Sequence, residues 1–158
     1  MSAIKAIYNA PIVGKAVLPD AGEVSIIIQY HGRIYQGVAL LHPEDKDFFS
    51  EKVGCNIALS RARIEALQDT FLDAQIEAQI KQQMLNEVLR FGLETGQDDK
   101  YDPTQMFRQN VNHAINRKNN LKKALIKEKN RLINYIANHG KAIQSIKLHR
   151  AKTQDESE

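Results

Sequence analysis

The hydrophobic period of the chain changes near Gly54, and that change constrains the fold more than any other feature. Before Gly54, apolar residues come in short runs separated by turn chemistry. After it they recur every three or four residues along two long stretches, the spacing of a helix face. The early part holds four β-type runs: Ile4 to Tyr8, Ile12 to Leu18, Val24 to Tyr30 and Arg33 to Leu40. Asn9-Ala10-Pro11 ends the first and Pro19-Asp20-Ala21-Gly22 the second, both with residues that favour turns. His31-Gly32 separates the last two runs and suits a two-residue type I′ hairpin. Pairing Tyr30 with Arg33 then puts Val24, Ile26, Ile28, Tyr30, Tyr35, Gly37 and Ala39 on one face, the expected core side. The other face carries Ser25, Ile27, Gln29, Ile34, Gln36 and Val38, a mixed surface suited to meeting a partner.

Pro43 followed by Glu44 and Asp45 reads as the start of a short helix over 43–54, closed by Gly54. Two long helices are expected over 56–95 and 103–150. The first carries a stripe of Ile57, Ile64, Leu67, Phe71, Ala74, Ala78, Leu85 and Val88, and Gly96 stops it. Asp102-Pro103-Thr104-Gln105, a capping-box variant, starts the second. Its stripe is Phe107, Val111, Ala114, Leu121, Leu125, Leu132, Tyr135 and Ile136, with Gly140 as an end or a kink. At 158 residues one domain is expected, over 1–150, with 1–41 as the sheet and 151–158 as a flexible polar tail. The expected fold is α+β: a small N-terminal antiparallel β-sheet, a short helix and a long C-terminal antiparallel helical hairpin. Helices that outrun so small a sheet must bury their stripes on each other or on other subunits, so a homo-oligomer is expected.

The net charge of +3 conceals an asymmetry. Residues 55–102 hold five basic residues against nine acids, a net of −4, whereas 103–150 hold eleven against Glu128 alone, a net of +10. On one account the basic helix balances the acidic one across the hairpin. On the other it binds phosphate. The same helix carries eight asparagines, although Asn is a poor helix former. Asn112, Asn116, Asn119, Lys123, Lys127, Asn130 and Asn134 share one outward stripe, where amides and ammonium groups could read polar edges and phosphates together. An AT-rich coding sequence would also enrich Lys and Asn without any function attached.

Catalytic and metal-binding patterns are not found. No two of the five histidines share the i,i+4 spacing of a helical metal pair, and His42-Pro43-Glu44-Asp45 reads as a helix start. Ser50 and Ser60 lack a glycine elbow, and Gly14, Gly22, Gly32 and Gly37 are accounted for by turns or strand packing. The lone Cys55 excludes an internal disulfide and reads as a buried, inert thiol. The expectation is therefore a protein that is not an enzyme, with no cofactor, no metal and no membrane span; the start Met1-Ser2-Ala3-Ile4-Lys5 lacks a signal-peptide core. Tyr35, Tyr101, Phe107 and Tyr135 are the aromatics able to stack on a base, and Tyr101 is the one off the packing stripes.

Tyr35-Gln36-Gly37-Val38-Ala39-Leu40-Leu41-His42-Pro43-Glu44-Asp45, continued by Ser50, Gly54, Ile57-Ala58 and Arg61-Ala62, resembles a recurrent element of small phage proteins. The named family it is similar to is the first class of Thoeris anti-defence proteins, phage sponges with an N-terminal antiparallel sheet and two long helices. By motif the likeness covers residues 24–62; beyond them it is one of architecture. It implies an oligomer in the host cell cytoplasm that sequesters cyclic ADP-ribose signals, or cyclic oligonucleotides at separate sites, without cleaving them. The ligand residues expected from this chain's own chemistry are Arg61, Arg117, Lys127 and Arg131 for phosphate, Asn112 and Asn116 for polar edges, and Tyr101 or Phe107 for stacking. The alternative is a phage protein whose basic helix binds nucleic acid or an acidic host protein.

Overall fold

The structure, a computed structural model, describes residues 2–95 and 104–156. In chain order it contains α1 (Ala3–Tyr8), β1 (Ile12–Leu18), β2 (Glu23–Tyr30), β3 (Arg33–Leu40), α2 (Glu51–Thr95) and α3 (Thr104–Glu156), with 3-10 turns at Pro19–Ala21 and Pro43–Phe48. A small antiparallel sheet followed by long helices is an α+β fold, as the change of period implies. The chain packs as two compact units, Met1–Ala66 with Ile126–Glu158 and Leu67–Leu125. No described helix is long and apolar enough to cross a membrane.

In the first unit the strands lie in the order β1-β2-β3. Tyr30 pairs with Arg33, and His31 and Gly32 both have positive φ, 50° and 70°, as a type I′ turn requires. The expected face is the core face: Val24, Ile26, Ile28, Tyr30, Gly37 and Ala39 are buried, and Tyr35 is half-buried. The opposite face leaves Ile34 and Leu40 largely exposed among polar neighbours, with Gln36 donating to the Ser25 hydroxyl at 2.7 Å.

Small residues let α2 lie directly on this sheet. A side chain on Gly37 would overlap the Ala58 carbonyl and come within 2.6 Å of the Ala62 amide nitrogen. Ala58, Ala62 and Ala66 are fully buried beside it. Ile57 and Ile64, expected in the stripe, are only half-buried, because the close approach admits methyl groups and not sec-butyl ones.

Four expectations need correction. Residues 4–8 form α1 and not a strand: the Ser2 hydroxyl caps the helix by accepting from the Lys5 amide, and Ile7 turns inward. A run of five residues is too short to separate a period of 2 from one of 3.6. The short helix is confined to the 3-10 turn Pro43–Phe48, and α2 begins at Glu51 and runs through Gly54. Gly54 is kept for proximity, since an added Cβ would sit 2.6 Å from Val24 Cγ2. Gly140 neither ends nor divides α3, which continues to Glu156 through residues read as a flexible tail. Gly96 and the Asp102-Pro103 start of the capping run lie outside the described residues.

The second unit is an antiparallel helical hairpin. Leu67, Thr70, Ala74, Ala78 and Leu85 of α2 are buried, as are Val111, Ala114, Leu121 and Leu125 of α3. Glu77 accepts from Arg117 at 2.9 Å and lies 3.8 Å from Lys81, so one acid on α2 holds two cations.

Candidate functional site

Among the described residues, most of the basic charge of α3 is not held in ion pairs. Arg117 pairs with Glu77, Arg131 with Glu128, and Lys147 with Asp45. Lys122, Lys123, Lys127 and Lys129 are exposed and make no ion pair among the described residues. Balance across the hairpin therefore accounts for some of the cations and leaves a surplus facing water.

One concave surface of the second unit carries a further cation, Lys118. Gln75, Gln79, Gln82 and Gln83 follow the i, i+4, i+7, i+8 spacing and share one face of α2. With Ala78, and with Ile115 and Lys118 of α3, they line a groove of about 390 Å³. Each amide offers two N–H donors and a carbonyl acceptor. Gln82 donates to Asn86 at 3.0 Å, which orients one of the four. Lys118 is half-buried with no ion pair among the described residues, so its ammonium is the groove's own charge. The arrangement can accept a polar ring edge and one anionic group.

The first unit holds a second polar cluster, around the buried carboxylate of Glu128. Tyr8 Oη donates to Oε2 at 2.6 Å and Ser60 Oγ to Oε1 at 2.6 Å. Arg131 donates its Nη2 to Oε1 at 2.7 Å and its Nε to Oε2 at 3.2 Å. Arg63 donates to the Tyr8 carbonyl at 3.1 Å and lies 5.0 Å over the Tyr8 ring. Burial alone would raise the Glu128 pKa; the hydrogen bonds from Arg131, Ser60 and Tyr8 overcome it and hold the carboxyl down at about 2. Burial, the hydrogen bond to Glu128 and its negative charge push the Tyr8 phenol up to about 12. Every acceptor position is filled, so this cluster joins α1, α2 and α3 and is not a vacant receptor.

The residues expected at a ligand site are dispersed by this arrangement. In the first unit, Arg131 is committed to Glu128, Arg61 donates to the Val38 carbonyl of β3, and Lys127 is exposed. Lys127 and Arg131 lie one turn apart on α3, and among the described residues no hydrogen bond or ion pair links either to Arg61. In the second unit, Asn112 and Asn116 are exposed, Phe107 is half-buried and Arg117 is held by Glu77; none of the four lines the groove. Tyr101 lies outside the described residues. The residues that sequence reasoning passed over are the four glutamines and Glu128. Both carried a signal: the glutamines keep helical spacing, and Glu128 takes the place of an apolar residue in the series Leu121, Leu125, Leu132. No protein-family model matches this chain, and no curated protein or solved structure matches it either.

Proposed function

We propose that the protein is a non-catalytic binder of a cyclic nucleotide signal, a cyclic ADP-ribose isomer or a cyclic oligonucleotide, and that it acts as a phage anti-defence sponge in the host cytoplasm. The observation that carries the reading is the amide-lined groove of about 390 Å³ with Lys118, which makes no ion pair among the described residues, in its wall. Its volume lies within the roughly 300–1,000 Å³ of small-molecule sites. Amides of this kind match the mixed donors and acceptors of a purine edge, and an ammonium matches a phosphate. The likeness of residues 24–62 to the phage element supports the same reading from an independent direction. Titration calorimetry against both signal classes tests it, followed by heating the complex and assaying what is released. Intact ligand recovered after heating supports sequestration. No heat of binding with either class removes the reading.

The exposed Lys122, Lys123 and Lys129 lie outside the groove and favour a second reading, a nucleic-acid polymer along α3. Its signature is salt dependence, with a log–log slope of about −0.9 for each phosphate neutralised on duplex DNA. A gel shift lost between low and moderate salt, without calorimetric binding of a cyclic nucleotide, would select it.

A further inference from the structure

The first unit holds a small pocket of its own. Val24, Ala39, Leu41, Phe49, Val53 and Ile57 wall a space of about 40 Å³ between the ends of β2 and β3 and the first turns of α2. Gly22 and Gly54 border it and contribute no side chain to fill it. Leu40, 69% exposed, is also in the lining, so the pocket reaches the surface. Close packing leaves few voids of this size in a protein. At roughly 10–15 Å³ for each water it has room for about three, and each would need two to four polar partners. The lining side chains offer only two polar groups, Ser50 and His139. Ser50 Oγ accepts from the Val53 amide at 3.3 Å, and its own proton has no acceptor among the described residues. His139 is half-buried, and its imidazole makes no hydrogen bond or ion pair among the described residues.

We infer that this pocket binds a small neutral aliphatic ligand with one oxygen, a short branched alcohol in chemical class. Size sets the tail: a void for about three waters holds a compact group of roughly three or four carbons. The polar pair sets the head, since a hydroxyl oxygen can accept from one group and donate to another. Charge sets the limit. No carboxylate, ammonium or guanidinium lines the pocket, so a phosphate or carboxylate head would enter without a counter-ion. The site lies wholly in the first unit, so its occupancy does not depend on what the groove binds.

Methyl NMR spectra of the full chain titrated with isobutanol, isobutyrate and octanol, and equilibrated with xenon, test the inference. Isobutanol should give saturable shifts at the Val24, Ala39, Leu41, Val53 and Ile57 methyl groups, with a dissociation constant of about 1 mM or tighter. Isobutyrate should bind more weakly and octanol no more tightly. His139→Phe keeps a ring in the wall and removes the polar partner, so it should weaken isobutanol about fivefold and leave xenon unchanged. Val53→Phe fills the void and should abolish both; if it fails to fold, Ala39→Val is judged by the same criterion. Isobutanol shifts that do not saturate, or that fall on other residues, overturn the inference. So does a filled-pocket variant that binds like wild type, tighter binding of isobutyrate, or affinity that rises on going to octanol. Xenon bound without isobutanol, or isobutanol indifferent to His139→Phe, overturns it too, because the oxygen would then have no receptor.

Discussion

Glu128 is the one acid between residues 103 and 150, and it is 2% exposed. A buried carboxylate is stable only where its lone pairs are filled, and here Tyr8, Ser60 and Arg131 fill them. Its folded pKa of about 2 lies below the ordinary 4.5. The stabilisation is therefore complete above about pH 4.5 and is lost as pH falls through about 2, a change on the order of 3 kcal/mol. Urea unfolding at pH 7, 4 and 2.5 should show that decline in the wild type and not in Glu128→Gln. At pH 7 the variant should be about 2–4 kcal/mol less stable, because the three donors lose a charged acceptor. Tyr8 has the opposite sign. Its phenol, raised to about 12, contributes stability that is whole below pH 10 and is lost as pH rises through 12. Ultraviolet titration should find a late phenol in the wild type that Tyr8→Phe removes.

Among the elements, the contact of β3 with α2 tolerates the least change. Gly37→Ala would drive a methyl group into the Ala58 carbonyl, and backbone cannot yield as a side chain tip can. A loss of roughly 3 kcal/mol or more is expected, read as a lowered denaturation midpoint or as failure to accumulate folded protein. Gly140→Ala should do the reverse. Nothing lies within 4 Å of the added methyl group and the residue is helical, so a gain of about 0.5–1 kcal/mol is expected in the same assay. Sequence alone distinguishes the two poorly, because both glycines interrupt an apolar pattern. The sheet register was legible because His31-Gly32 fixes the turn and alternation fixes the face. The Ala58, Ala62, Ala66 stripe was not, since alanine is apolar enough for either side and only the proximity of Gly37 assigns it. The groove was half legible: the spacing of the glutamines was present, but Lys118 joins them only through the packing of α2 against α3.

For the described residues, charge divides into cations held in ion pairs and cations left exposed. If the groove captures a nucleotide as proposed, Gln79→Ala combined with Lys118→Gln should lower that affinity by roughly thirtyfold to a thousandfold, the value of one charge-assisted bond and one neutral bond, with no change in unfolding midpoint. Arg117→Gln should leave nucleotide affinity unchanged and cost less than about 1 kcal/mol, since its pair with Glu77 is solvent-exposed. Calorimetry and thermal unfolding on the same preparations separate the two outcomes. The Glu128 cluster also has a consequence in time. Tyr8 is made 120 residues before its acceptor. At bacterial or eukaryotic rates of roughly 5–20 residues per second, that interval is on the order of ten seconds. The sheet can pair and receive α2 long before then, whereas α1 waits for a residue not yet synthesised. A nascent chain that stalls before residue 128 would thus hold a formed sheet and an unsecured N-terminal helix, with Ile7 still exposed to whatever chaperone or protease meets it first.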